Sequence, residues 1–469
     1  MKDLILRPPQ IPMVDWVIEH KRCALWAGMG IGKSSAELFA LDTLKLMGDI
    51  GTSPTLVIGP ARVARDTWPE EVSKWTQFKD LRIVSLSGTP RERLDALKRK
   101  ADIFTISYEL TPWLVEHFME KWPFRQVVAD ESDRLKGFRE KRGGVDIESK
   151  KTSKTAKRAH SLGMVAHNLT DRWVNLTGTP APNGLKDLWG QQWYIDRGAR
   201  LGRTHSAFMQ RWFKPKWSGY GVEPMPHAEK EIHAALHDCC LTIDPKDYFD
   251  LKEPIVAPIM VKLPPKARAI YKELERELFA DLGDLGNIEV FNAASLTNKC
   301  LQLANGAVYT DYPSWAPIHD EKIEAVRSVL AEAGGNPILL AYSFKSDLAR
   351  IKAAFPSAVE LSTPAGMKAF RAGNAPIGLA HPASLGHGID GLQYATNIIA
   401  FFGHSWNLGE RMQMIERVGP MRQLQAGFDR PVWIYNIICE NTIDEDVIAA
   451  HIAKRNTQDS LLLAMKRRK

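Results

Sequence analysis

Cys23-Ala24-Leu25-Trp26-Ala27-Gly28-Met29-Gly30-Ile31-Gly32-Lys33-Ser34 decides how the rest of the chain reads. A short apolar run enters a glycine-rich turn, and from Ser35 the pattern becomes helical through Ala36-Glu37-Leu38-Phe39-Ala40-Leu41. Strand, glycine turn and helix in that order make a phosphate-binding loop, with Ala27 standing where the usual pattern has its first glycine. Gly28, Gly30 and Gly32 leave the backbone N–H groups open to phosphate oxygens, and the helix that follows points its positive end inward. Lys33 is then the residue that neutralises the outer phosphates of ATP, and the Ser34 hydroxyl is a ligand for Mg²⁺. A Gly-Lys-Ser triplet arises by chance in chains of this length; the flanking strand and helix give this one its meaning.

Working outward, the first half alternates apolar runs with helical stretches: residues 55–60, 82–86, 102–107, 126–130 and 173–180. Most end in Gly, Pro, Ser, Thr or Asp, as buried strands of a mostly parallel sheet do when helices cover both faces. Ligands then belong at the carboxyl ends of the strands. Residues 265–330 are largely helical, and a second alternating set follows at 337–343, 359–362, 377–384, 396–403 and 432–439. The expected fold is α/β: two RecA-like parallel-sheet domains in tandem, residues 1–250 and 251–469, with an ATP cleft between them and a helical entrance to the second.

A nucleotide engine needs carboxylates beside its phosphate loop. Val127-Val128-Ala129-Asp130-Glu131 ends a strand in two acids, so Asp130 is expected beside the Mg²⁺ held by Ser34, and Glu131 as acceptor of the proton from attacking water. Ser132 and Asp133 read more simply as helix caps. Val174-Asn175-Leu176-Thr177-Gly178-Thr179-Pro180 ends in small hydroxyl residues suited to sensing the nucleotide state.

These motifs in this order resemble the Swi/Snf-related branch of the superfamily-two helicases, in the compact form of its phage or prophage members. The resemblance runs from about residue 6 to residue 450. It implies that Gln10, in Leu6-Arg7-Pro8-Pro9-Gln10, contacts adenine, and that Thr177, Gly178 and Thr179 couple ATP to the track. It matches Val57-Ile58-Gly59-Pro60 with the stretch Trp68 to Trp75, and Thr105-Ile106-Ser107-Tyr108-Glu109, to further motifs of the first domain. In the second domain it matches Leu339 to Ser343, and the glycine-rich segment Ser384 to Leu392, whose Gly388 and Asp390 it gives to the nucleotide. Trp406 to Arg422 resembles the arginine motif, in which positive charge is inserted toward the γ-phosphate. Gln413 and Arg417 fit that motif, but Pro420 occupies the place of the second arginine, leaving Arg422 as its replacement or Arg417 acting alone. Two further departures are Asp133, where the family usually has His, and Leu241-Thr242-Ile243-Asp244, where it often has an Arg-Arg pair.

The totals agree with a polyanion as partner without demanding one: 62 basic against 55 acidic residues give a net charge of +7. Two basic stretches, Lys141 to Arg158 and the neighbourhood of Lys214, Lys216, Trp217 and Tyr220, are either solvated loops or backbone-contacting surfaces. Five cysteines without ligand spacing argue against a disulfide framework or a zinc site. The N-terminus carries no signal-like segment and no run reaches membrane-spanning length, so the expectation is a cytoplasmic protein, in the host cell if phage-encoded. The motifs point to an ATP-hydrolysing motor on nucleic acid, and the resemblance implies a double-stranded DNA translocase with phage replication or recombination proteins as partners. A strand-separating DNA or RNA helicase uses the same motor residues, and a non-hydrolysing nucleic acid clamp stands as the reading from another class.

Overall fold

A computed structural model describes residues 1–139, 154–215, 222–283, 290–310, 314–385 and 390–466. The chain divides into two units: Met1–Asp250 together with Lys454–Lys469, and Leu251–Ala453.

The first unit holds β1 (Arg22–Ala27), β2 (Thr55–Gly59), β3 (Ile83–Ser85), β4 (Ile103–Ser107), β5 (Gln126–Asp130), β6 (Arg172–Thr177), β7 (Phe213–Pro215), β8 (Val222–Pro224) and β9 (Cys240–Ile243). β7 and β8 form a small antiparallel hairpin; the others make one parallel sheet in the order β3-β4-β2-β5-β6-β1-β9. Alternation at period two explains why the strands read as continuous apolar runs. In β1, Ala24 and Trp26 enter one core while Cys23, Leu25 and Ala27 enter the other; in β5, Val127 and Ala129 oppose Val128. Because all seven strands are parallel, Ala27, Gly59, Ser107, Asp130 and Thr177 come out at the same edge of the sheet. The register sets Asp130 beside Leu176 and Trp26 beside Thr177, so the exits of β5, β6 and β1 are consecutive.

The second unit begins with β10 (Ile255–Val261) and three helices, Pro265–Gly283, Val290–Asn305 and Glu321–Glu332, with a short antiparallel pair, β11 (Ala307–Tyr309) and β12 (Trp315–Pro317), between the last two. β13 (Ile338–Ala341), β14 (Val359–Glu360), β15 (Ile377–Ala380), β16 (Ile398–Phe401) and β17 (Trp433–Cys439) complete a parallel sheet ordered β10-β17-β16-β13-β15-β14. Here too both faces are buried: Ile338 and Leu340 pack into one core, Leu339 and Ala341 into the other.

Two strands of the parallel sheets escape the sequence pattern, and both lie at sheet edges. β9 has four residues and sits where the sequence reads as a domain junction. β10 contains Pro258, which cannot donate to a ladder and is tolerated because β10 pairs only with β17. Among the described residues, no helix is long and apolar enough to cross a membrane.

Candidate nucleotide-binding site

The turn after β1 leads into α2 (Lys33–Met47), and α1 (Gln10–Glu19) packs beside it. Gly30 and Gly32 take φ of +76° and +94°, the left-handed region that disfavours side chains. The space is as restrictive as the angle: a Cβ on Gly32 would lie 2.5 Å from Gln10 Nε2, and one on Gly28 would lie 2.7 Å from Pro245 Cγ. No side chain caps α2, so its first turn presents bare backbone N–H groups at the positive end of the helix dipole. Ser34 belongs to that turn. Lys33 Nζ folds back over the turn, donating to Ala27 O at 2.7 Å and Gly28 O at 3.2 Å.

Gln10 is buried and braces the loop from behind. Its Nε2 donates to Gly32 O (3.0 Å) and Ser35 Oγ (2.9 Å), and its Oε1 accepts from Arg7 N (2.9 Å). Arg7 Nη2 adds a bond to Ile31 O at 2.8 Å. The residue given to adenine from the sequence thus spends its amide on the phosphate loop, and Arg7 emerges as a second brace that the sequence did not single out.

Asp130 ends β5 with both carboxylate oxygens engaged: Oδ2 accepts from Trp68 Nε1 at 2.9 Å and Oδ1 from Glu131 N at 3.1 Å. The Tyr108 hydroxyl donates to Asp130 O at 3.0 Å. Burial pushes the Asp130 carboxyl up from the ordinary range, while Trp68, the Lys33 charge and the Glu131 N–H pull it down. Glu131 adopts φ +56°, a strained left-handed conformation for a side chain with Cβ and a hallmark of functional turns. Ser132 and Asp133 are not caps: the short helix they open has no side-chain cap, Ser132 Oγ donates to Gln191 Oε1 at 3.3 Å, and Asp133 pairs with Lys136 at 3.4 Å. The left-handed turn at Glu131 sends both side chains away from the helix start.

Past β6, Thr177 Oγ1 accepts from Thr179 N at 3.0 Å, closing a tight turn around Gly178. A Cβ on Gly178 would stand 3.3 Å from Met29 Cγ and 3.4 Å from Ala27 O, so this turn lies directly on the phosphate loop. The buried Thr179 hydroxyl has no hydrogen-bond partner among the described residues. Gln191, fully buried, joins the acidic segment to this turn: its Oε1 takes the Ser132 hydroxyl and its Nε2 donates to Pro180 O at 2.5 Å. Gln191 sits in an unremarkable helical stretch and carries no local signal. Glu37, one turn into α2, is another group the sequence did not announce. It is fully buried with neither carboxyl oxygen hydrogen-bonded among the described residues, and burial raises it to about 8, with Arg172 opposing and Asp130 adding to the rise.

In the second unit, the helix Leu408–Glu416 carries Gln413 and ends with Arg417 at its C-cap. Gly419 and Pro420 then start a separate short helix, Pro420–Gln425, which carries Arg422. Proline at the first helical position loses no helical bond, so Pro420 opens this second helix without cost to its backbone. Arg422 Nη1 pairs with Asp390 Oδ1 at 3.0 Å, and the same oxygen accepts from Gly391 N (2.8 Å) and Gln393 Nε2 (3.2 Å). Arg371 also donates to Asp390 O. Partial burial would raise Asp390, but Arg422, the Gly391 N–H, Gln393 and Arg417 hold it below the ordinary carboxylate range. Gly388, residues 141–153 of the first basic stretch, and Lys216, Trp217 and Tyr220 of the second lie outside the described residues.

One parallel-sheet unit with a phosphate loop, an acid pair and a hydroxyl turn at a common edge, followed by a second parallel-sheet unit with an arginine motif, defines a class of ATP-driven machines. Comparison with known proteins agrees. The SNF2-related domain family matches residues 10–302. Putative protein p41 of Acyrthosiphon pisum secondary endosymbiont phage 1 is 46% identical over 477 residues, covering 100% of both chains. The ATP-dependent DNA helicase DDM1 of Arabidopsis thaliana is 27% identical over 39% of this chain and 22% of its own length. An uncharacterized ATP-dependent helicase of Mycoplasma pneumoniae is 23% identical over 93% of this chain and 40% of its own. This chain therefore spans p41 fully but well under half of the two cellular relatives. The chain belongs to the SNF2-related family, and with p41 it represents the compact phage type of that family: a helicase-like ATPase built on two tandem RecA-like parallel-sheet units.

Proposed function

We propose that the protein is a double-stranded DNA translocase in which ATP hydrolysis drives domain closure along the track. One observation carries the reading: the Thr177-Gly178-Thr179 turn is seated on the phosphate loop, its Gly178 within van der Waals reach of Ala27 and Met29. A change in the loop on nucleotide binding or loss has to move this turn. DNA as the track is taken from the SNF2-related membership and from relatives such as the Arabidopsis DNA helicase.

In this reading Gly28, Gly30, Gly32 and the first amides of α2 hold the phosphates of ATP, and Lys33 exchanges its two carbonyl partners for phosphate oxygens. The donors suit Mg²⁺: Ser34 and Asp130 would offer it hard oxygen ligands. The metal, when bound, neutralises charge on the phosphates. Asp130, held by Trp68 and the Glu131 amide, keeps its carboxylate oriented, and Glu131 accepts the proton of the attacking water. Arg417 and Arg422 supply positive charge from the second unit, Arg422 standing in for the arginine that Pro420 displaces. Gln10 sets the loop geometry and, through it, the adenine end of the site. Phosphate-backbone contacts make track binding salt-sensitive and largely sequence-independent. A role beside phage replication or recombination proteins, in the host cytoplasm, belongs to this reading, and the likeness to a phage protein supports its phage setting.

Steady-state ATP hydrolysis without nucleic acid, and with duplex DNA, single-stranded DNA or RNA, tests this. Strong stimulation by duplex DNA, lost in Lys33→Ala and in Arg422→Ala, is the expected result. Stimulation confined to single strands or RNA would replace the translocase by an unwinding helicase, and no hydrolysis on any track would leave a clamp.

A further inference from the structure

Lys322 lies on the helix Glu321–Glu332 with no part of its side chain exposed, and its ion-pair partner Asp444 is equally buried. Its three ammonium protons are all placed: on Asp444 Oδ2 at 2.6 Å, Asn305 Oδ1 at 2.8 Å and Phe402 O at 3.0 Å. Each partner belongs to, or relays to, the exit of a different strand. Phe402 is the first residue after β16. Asp444 Oδ2 also accepts from Cys439 N, the last residue of β17, at 3.0 Å. Asn305 Nδ2 donates to Asp347 Oδ2 at 2.9 Å, and that oxygen accepts from Ser343 N (3.1 Å) and Phe344 N (2.9 Å), just beyond β13. β17, β16 and β13 are neighbours in the sheet, so one nitrogen ties three consecutive exits together on the edge where ligands bind in such sheets. Gly403 makes the approach possible: a Cβ there would stand 2.5 Å from Asn305 Nδ2 and 2.7 Å from Ser343 Oγ.

A buried ion pair of this kind is a poor source of stability. Desolvating both ions offsets most of their attraction, and well-packed apolar residues of similar volume generally do as well or better. What it supplies is direction, because the donors and acceptors fix where each strand exit must lie. The exit of β16 leads within a few residues into Leu408–Glu416, the helix that ends at Arg417. Arg411 of that helix is itself fastened to the same strands, with its guanidinium 3.8 Å over the Phe401 ring and Nη2 donating to Asn436 Oδ1 at 2.6 Å. The exit of β17 leads into the terminal helix Ile443–Lys466, whose second residue is Asp444.

We propose that Lys322 is a positioning residue: through Phe402 and Asp444 it sets the placement of the arginine-bearing helix and the first turn of the terminal helix. Its catalytic consequence rests on the motor reading above, and its structural consequence does not. The informative variant is the double substitution Lys322→Met with Asp444→Leu in the full chain, which removes both charges together and keeps the volume. The expected result is a folded protein whose unfolding midpoint falls modestly, because Asn305 Oδ1, Phe402 O and Cys439 N lose their partners, with a kcat for DNA-stimulated ATP hydrolysis lowered about tenfold or more and a KM for ATP within about twofold, because the phosphate loop is untouched. Amide hydrogen exchange of residues 402–417 and 440–446 is expected to quicken in the same variant. A folded double variant with parental kcat and parental exchange overturns the proposal. A double variant that does not fold overturns it as well, because the pair is then needed for stability. If the parent itself hydrolyses no ATP, the motor reading fails by that result alone, and the exchange of the two segments still decides the positioning claim.

Discussion

Glu37→Gln isolates the least expected charge in the first unit. The Glu37 carboxyl is buried without a hydrogen-bond partner among the described residues, and its value is raised to about 8 from an ordinary 4.5. An acid with a raised folded value is protonated in the native state and ionised in the unfolded state across that interval. Unfolding then releases a proton, so native stability falls as pH climbs from about 4.5 toward 8 and changes little outside that window. At about 1.4 kcal/mol per pH unit, holding the proton at pH 7 costs roughly 3 kcal/mol, against under about 1 kcal/mol at pH 5. Glutamine cannot titrate, and any packing penalty of its amide is the same at both pH values. The stability difference between variant and parent should therefore shift in favour of the variant by roughly 2 to 3 kcal/mol between pH 5 and pH 7. Urea unfolding of the first unit, followed by tryptophan fluorescence at the two pH values, measures that shift. A difference independent of pH would show that Glu37 is ionised in the fold and would refute the argument.

Two other perturbations have definite signs. Gly178→Val forces a side chain against Met29 and Ala27 O, so ATP turnover on DNA should fall at least about tenfold while the unfolding midpoint drops by no more than a modest overpacking penalty; parental turnover would separate the turn from the loop. In the second unit, burial lowers His404 to about 3 and His319 to about 4. His319 is neutral by its contacts as well, accepting from Glu321 N at Nδ1 with Nε2 on Leu303 O. The unfolded chain takes up protons near pH 6.5 that the fold refuses, so the stability of this unit should decline below pH 6.5, by about 2 kcal/mol per histidine at pH 5. Urea midpoints of the second unit that stay flat from pH 7.5 to pH 5 would contradict this.

The main sheet architecture was legible because parallel strands buried on both faces leave continuous apolar runs with polar ends, and the residues at those ends are the ones chemistry needs. Ala27, Asp130 and Thr177 could be named in advance for that reason. What stayed hidden depends on contacts between distant segments. Gln191 joins Ser132 to Pro180 across some fifty residues of chain, Trp68 reaches Asp130 from a separate helix, and Lys322 meets Asp444 across more than a hundred. Trp68 lies in a stretch that the resemblance matched, but none of these pairings leaves a local period. Edge strands were hidden for the opposite reason: with one partner each, β9 and β10 can be short or carry Pro258.

The arginine motif shows where a departure in sequence is absorbed by a local change in chain path. Pro420 cannot supply the expected side chain, and it also cannot extend the helix that ends at Glu416 without breaking a backbone bond. The chain instead turns at Val418 and Gly419 and restarts in a helix that carries Arg422, the residue that the proposed reading puts in place of the missing arginine. That arginine rests on Asp390, a carboxylate already satisfied by Gly391 N and Gln393. On the proposed reading Arg422 would exchange this carboxylate for a phosphate, and Asp390 would keep those two donors when it leaves. The pair thus suits an arginine that must be held in place between turnovers yet released cheaply, and it predicts that Asp390 and Arg422 act as a unit, with the loss of either one slowing turnover nearly as much as the loss of both.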